Sequence, residues 1–198
     1  MYSPSSVCRD PNTLSNYHEW RTSHITADLA IEFEQKRCSG KVTLSLKRLE
    51  KASRKIVLDT SYLDIEDIHL AGKQVKWNLS QRSDPYGSPL IVEVPEAHSG
   101  DAELEIHLKT TKECTAVQWL TPDQTSNKKH PYMFSQCQAI HARSLLPCQD
   151  TPVRPDVNRQ RPFEKPCAEC GLLLGCEIYL HIQHSISSAR TRKWSSYR

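Results

Sequence analysis

Glycine is scarce in this chain, six among 198 residues, and none are grouped as a phosphate-cradling loop requires, so nucleotide binding of that kind is excluded. No apolar run approaches the roughly 18 residues that a membrane span needs, and no membrane partner is expected. The N-terminus MYSPSSVCRD carries no apolar core segment, so no secretory signal is expected and a cytoplasmic location is. Gly-x-Ser-x-Gly is missing, and with it the strand-to-helix elbow that exposes a nucleophilic serine. Before residue 150 no stretch repeats its apolar residues at helical spacing, which argues against amphipathic helices.

Charge is mixed rather than one-sided, with 26 Lys and Arg against 23 Asp and Glu for a net +3. The surplus belongs to residues 153–198, which hold eight cations against four anions, leaving the rest near −1. The terminal Arg190, Arg192, Lys193, Trp194, Tyr197 and Arg198 combine cations with aromatics, as nucleic-acid-binding tails do, but four cations over nine positions suit any solvated tail, and no nucleic-acid partner is expected. Eight cysteines stand at 8, 38, 114, 137, 148, 167, 170 and 176. Without regular spacing over the first 150 residues, reduced thiols are expected rather than a disulfide framework.

What is present reads as strands. Ile25, Ala27, Leu29, Ile31 and Phe33 alternate at period two, the mark of a half-buried strand. Arg37-Cys38-Ser39-Gly40 interrupts the pattern, and Val42, Leu44 and Leu46 resume it, which predicts a hairpin. Further strands are predicted at 55–59, 65–70, 75–79, 90–94 and 103–108, separated by turns such as Ala71-Gly72-Lys73 and Asp84-Pro85-Tyr86-Gly87. Asp64, Glu66 and Asp67 beside Ile65 and Ile68 read as the solvent face of one of these. Short strands at such spacing predict an all-β sandwich or saddle.

The segment LTPDQTSNKKHPYMFSQCQAIHARSLLPCQD, residues 120–150, breaks this grammar with its density of Pro, Gln, Cys, His and aromatics, a composition typical of functional loops. With Trp119 before it, Thr151-Pro152 after it and the earlier IVLDTSYLDIEDIHLAGKQVKWNL, it resembles the N-terminal domain of the leukotriene A-4 hydrolase group of zinc aminopeptidases, peptidase family M1. The resemblance runs from about Asp10 to Pro152. It implies an incomplete saddle-like or sandwich β-domain at 10–152; composition adds a disordered lead-in at 1–9 and, with Pro155, Pro162 and Pro166 punctuating a polar run, a divergent, largely irregular, disordered basic tail at 153–198.

The resemblance also implies roles. In Gln136-Cys137-Gln138-Ala139, Gln138 and Ala139 would line the substrate cleft and Gln136 support them, a side-chain amide offering both donor and acceptor to the amino end of a peptide. The alternative reading is that these amides satisfy neighbouring backbone. The family's zinc, its ligands and its general base come from a catalytic domain with Gly-Met-Glu-Asn and His-Glu-x-x-His sequences, and neither occurs here. The only His-Glu pair, His18-Glu19, continues Trp20-Arg21-Thr22, so the second histidine that would share the metal is missing. The chain is thus expected to be a truncated recognition domain without a cofactor of its own. A peptide substrate is expected only in the context of a full-length enzyme that trims peptide N-termini and, in some members, opens an epoxide. The other reading is a non-catalytic interaction module whose exposed face self-associates.

Two sets of metal-ligand residue types stand in the sequence. His130 and His141 near Cys137 and Cys148 show no paired zinc-type spacing and read as packing or loop residues. Cys167-x2-Cys170 with His181-x2-His184 has the cysteine knuckle, but its central gap and histidine spacing are shorter than a finger's, and no zinc is expected there.

Overall fold

The computed structural model describes residues 10–126, 128–151 and 177–184. Its elements are β1 (Trp20–Glu32), β2 (Arg37–Arg48), β3 (Lys55–Thr60), β4 (Leu63–Leu70), β5 (Lys73–Gln74), β6 (Trp77–Leu79), β7 (Ser88–Glu93), β8 (Ala102–Thr110), β9 (Val117–Leu120), β10 (Tyr132–Ser135) and β11 (Glu177–His184). Two short 3-10 turns, Pro122–Gln124 and Ala142–Ser144, complete the set, and no α-helix occurs among the described residues. The all-β expectation holds.

Six strands form one sheet in the order β11-β1-β2-β8-β4-β5, three form a second in the order β3-β7-β6, and β9 pairs with β10 in a separate hairpin. All pairs are antiparallel except β1 with β11. The period-two residues read from the sequence face inward: Ile25, Ala27, Leu29 and Ile31 of β1, Val42, Leu44 and Leu46 of β2, and Leu104, Ile106 and Leu108 of β8 are all buried. Register places Ala27 opposite Val42 and Val42 opposite Ile106. Cross-strand apolar pairs of this kind pin the register, because a slip of one residue would turn each inward side chain to solvent. Ile56, Leu58, Leu90 and Val92 of the smaller sheet join the same core.

Strand β4 departs from simple alternation. Leu63 and Ile65 sit opposite Thr110 and Leu108, but the register shifts between Ile65 and Asp67, after which Ile68 and Leu70 are the buried positions. The irregularity at Glu66 changes the parity of the strand, so Asp67 and His69 point outward together. Of the strand predicted at 75–79, Trp77–Leu79 forms and pairs with β7 in the smaller sheet, while Lys73–Gln74, just before the predicted range, pairs with β4 in the larger.

The tail was expected to be irregular, and one regular element lies in it. Residues 177–184 run parallel to β1, with Ile25 in register with Ile178 and Leu29 with Ile182. Alternating Ile178, Leu180 and Ile182 suit a strand, and β1 otherwise offers unpaired backbone groups along its outer edge. The lead-in at 1–9, the cysteine knuckle at 167 and 170, the side chains of His181 and His184, and the terminal basic residues lie outside the described residues.

Candidate functional site

The β9–β10 hairpin carries the predicted recognition residues. Its inner face packs on the core through Trp119 and Met133, and Trp119 meets Phe33 edge-on with ring centroids 5.6 Å apart. Its outer face presents Tyr132 and Phe134, 56% and 40% exposed, their rings stacked at 6.4 Å. The in-out alternation continues past the strand: Gln136 is exposed, Cys137 buried, and Gln138 and Ala139 exposed. Gln136 extends the ladder by donating its backbone N–H to the Ala116 carbonyl at 2.7 Å. The Gln138–Ala139 peptide bond is cis.

The three residues named from the sequence therefore come together at one end of the hairpin, on its solvent side. No side-chain hydrogen bond ties the Gln136 or Gln138 amide to another described residue. Both side chains are exposed.

The ground beneath them is buried and hydrogen-bonded. Cys137 is 3% exposed, and its carbonyl accepts from the His141 N–H at 3.0 Å, closing the turn that holds Gln138 and Ala139. His141 Nδ1 is 2.7 Å from the Thr115 hydroxyl. Ser144 Oγ accepts from the Ala116 N–H at 2.9 Å and donates to the His141 carbonyl at 2.8 Å. His141 is thus a loop-packing residue, as its spacing predicts, and His130 is exposed; neither belongs to a metal-ligand group among the described residues.

Next to this turn lies a buried charge cluster that sequence reasoning missed. Arg143 donates from Nε to Asp150 Oδ2 at 3.1 Å, from Nη1 to the Tyr86 carbonyl at 2.7 Å and from Nη2 to the Asn12 carbonyl at 2.8 Å. Its Nη1 stands 3.7 Å from Asp59 Oδ1. Asp59 accepts further from Leu14 N–H at 2.6 Å, from Asp150 N–H at 3.0 Å and from the Thr13 hydroxyl. Burial pushes the Asp59 and Asp150 carboxyls above the usual aspartate range, with Arg143 and the hydrogen bonds opposing it in part. The cluster joins the chain before β1, the end of β3, the turn before β7 and residues 143–150, so it sets the hairpin's base against the sheets.

The described cysteines 38, 114, 137 and 148 carry thiols rather than disulfides, as expected. Burial, helped by Cys114 and Glu32, pushes the Cys38 thiol up to about 12, which makes it a packing residue rather than a nucleophile. His18-Glu19 lies in the turn before β1, where Glu19 Oε2 accepts from Asn16 Nδ2 at 2.8 Å and from the Ser53 hydroxyl at 2.7 Å. That turn does not provide the two-histidine helix of a catalytic zinc site. One other group has ligand-type proximity: His69, Glu105 and His107 on the outer face of the larger sheet. Only the strand register brings them together, so no linear spacing signalled them.

Comparison with known proteins agrees with the fold. Residues 15–154 match the model of the peptidase M1 N-terminal domain. Leucine aminopeptidase 2 of Sclerotinia sclerotiorum is 51% identical over 181 residues, covering 87% of this chain and 29% of that protein. The leukotriene A-4 hydrolase homolog of Botryotinia fuckeliana is 50% identical, covering 87% and 28%. At that coverage the matched stretch runs past residue 152 into the tail. Yeast LTA4 hydrolase in complex with bestatin superimposes with a TM-score of 0.71 at 42% identity, over 76% of this chain and 24% of that one. An M1 zinc metallopeptidase of Deinococcus radiodurans, 19% identical with a TM-score of 0.50, shares the fold. The chain spans 24% to 30% of the length of these relatives.

Proposed function

The chain belongs to peptidase family M1 through its N-terminal domain, and from that premise we propose that it supplies the substrate-recognition wall of a zinc aminopeptidase rather than the catalytic centre. The observation that carries this reading is the exposed, uncommitted pair of glutamine amides at the end of a hairpin whose base is held by buried hydrogen bonds. In the proposed arrangement the Gln138 carbonyl oxygen accepts from a peptide's terminal ammonium and its NH2 group donates to the first peptide carbonyl. Ala139 leaves room for the chain beside it, and Gln136 supports Gln138 from one ladder step away. The family's metal supplies polarisation and an activated water when bound. The sequence holds no His-Glu-x-x-His pair to carry that catalytic metal, so the part proposed for the hairpin residues is binding and orientation.

Two experiments test the reading. The purified 198-residue chain is expected to show no aminoacyl-reporter hydrolysis; bestatin-sensitive turnover would defeat the proposal. Residues 10–152, exchanged for the matching domain of the Sclerotinia leucine aminopeptidase 2, are expected to support turnover. Gln138→Ala in that chimera is then expected to lower kcat/KM on free-amine substrates by about ten- to a hundredfold, the loss of roughly 1.5–3 kcal/mol from a hydrogen bond to a charged group. An unchanged kcat/KM would remove Gln138 from the site.

A second reading rests on the stacked, exposed Tyr132 and Phe134. It makes the isolated β-domain a non-catalytic interaction module whose hairpin face meets another protein surface, a second copy of the chain included.

A further inference from the structure

The outer face of the six-stranded sheet holds a second constellation, remote in sequence from the hairpin. We propose that His69 of β4 with Glu105 and His107 of β8 binds a divalent transition-metal ion of the zinc type. One ligand atom from each lies within 4.8 Å of the other two, and His107 Nε2 is 3.0 Å from Glu105 Oε1. Zinc bonds of about 2.0–2.1 Å place tetrahedral ligands roughly 3.4 Å apart. Closing the site therefore takes a shift of about 1 Å, within the reach of side chains that are partly exposed. Their exposures, 30% for His69, 34% for Glu105 and 39% for His107, also leave the ion a path from solvent.

The backbone is already arranged for it. His69 pairs with Glu105 and Asp67 with His107 across an antiparallel ladder, and the irregularity at Glu66 turns Asp67 and His69 to this face. The surrounding groups suit a ligated ion. Asp67 Oδ2 lies 3.4 Å from His69 Nε2, placed as the outer carboxylate that orients a ligating imidazole. Asp67 itself is held by Gln74 Nε2 at 2.9 Å. His69 Nδ1 is a buried polar atom without a hydrogen-bond partner, so the ring is tied to neighbouring groups by little beyond its Asp67 contact. Lys41 Nζ holds Glu105 Oε2 at 2.9 Å, leaving Oε1 on the His107 side.

Two imidazoles and one carboxylate favour zinc and its first-row neighbours over calcium or magnesium, which take oxygen donors. Three protein ligands leave a coordination position to water. The bound ion would tie β4 to β8 and raise stability by linkage. This site does not depend on the role of the hairpin.

The test uses the full 198-residue chain, as it stands and with Cys167→Ser and Cys170→Ser to remove the competing tail thiolates. Zinc chloride binding is followed by calorimetry and cobalt(II) binding by its visible spectrum. The expected result is one ion per chain, a spectrum without a thiolate charge-transfer band, and a higher Tm with zinc. His69→Asn and His107→Asn are each expected to weaken binding by more than about tenfold, the lower end of what even outer-shell partners contribute. Zinc is also expected to shift the ring resonances of His69 and His107 in the unsubstituted chain, which needs no variant to fold. Absence of saturable binding up to millimolar zinc, binding unchanged by both histidine substitutions, or zinc that leaves those two rings unshifted would overturn the proposal.

Discussion

Arg143 is 1% exposed in its side chain, and it satisfies carbonyls or carboxylates from residues 12, 59, 86 and 150 at once. Removing its charge would leave Asp59 and Asp150 facing each other in a dry site, because Asp59 is wholly buried. Arg143→Met keeps the bulk and deletes the guanidinium. It is expected to cost about 3–5 kcal/mol, read as a lower urea midpoint for the chain. Gly87 sits in the turn under this cluster with φ +89, and a Cβ there would stand 2.1 Å from the Thr60 carbonyl oxygen. Gly87→Ala combines a left-handed backbone with a clash against main chain, and a loss of about 2–4 kcal/mol in the same assay is expected. The sequence marked Gly87 only as a turn residue and Arg143 not at all. Asp84-Pro85-Tyr86-Gly87 is legible as a turn, but nothing in Ala142-Arg143-Ser144 marks a buried cation, since besides Asp150 its partners come from three distant stretches of chain. Gln136, Gln138 and Ala139 were legible only through resemblance; their exposure and lack of local partners needed the structure.

At the level of elements, periodicity was a sound guide wherever one strand face stays buried from end to end, as in β1, β2 and β8. It was silent where the chain changes face or sheet. In β4 the outward turn of Asp67 after Glu66 is invisible in a run of Ile and Asp, and with it the His69, Glu105 and His107 group. At 75–79 the alternation of Val75, Trp77 and Leu79 gives no sign that the chain leaves one sheet for the other. The β1–β2 hairpin, which was legible, is clamped near its tip. Arg37 Nη2 and Nε reach Glu32 Oε2 at 2.7 and 2.8 Å, and Ser39 donates to Oε1. The Arg37 and Ser39 hydrogen bonds hold the Glu32 carboxyl below the usual glutamate range. A depressed folded-state value means that this contribution is fully present above the unfolded value, about pH 4.3, and is lost as pH falls through the lower folded value. Glu32→Gln is therefore expected to destabilise the chain slightly at neutral pH and to flatten the fall of Tm on acidification below that point. An acid limb as steep as that of the unsubstituted chain would show that the clamp contributes nothing.

For the whole molecule, the question is what covers the outer face of the β9–β10 hairpin. The all-β class and a single core followed from composition and alternation, but the exposure of this face did not, because Tyr132 and Phe134 look like core residues in sequence. Two stacked rings at 56% and 40% exposure, with Leu120 opposite Tyr132 and two open amides beyond them, form an apolar ridge with polar ends. Such a ridge favours burial against another surface. In a larger enzyme the opposing cleft wall would cover it; in the chain alone the available surface is another copy. Concentration-dependent association in sedimentation is the expected behaviour, and Tyr132→Ser with Phe134→Ser is expected to reduce it. These substitutions lie outside the core, so little loss of Tm should accompany the change. If the double variant associates as strongly as the unsubstituted chain, contact runs through another surface, the strand edges being the next to examine. If neither associates, the ridge is a binding wall with no affinity for its own kind, which favours the substrate-recognition reading over the interaction module.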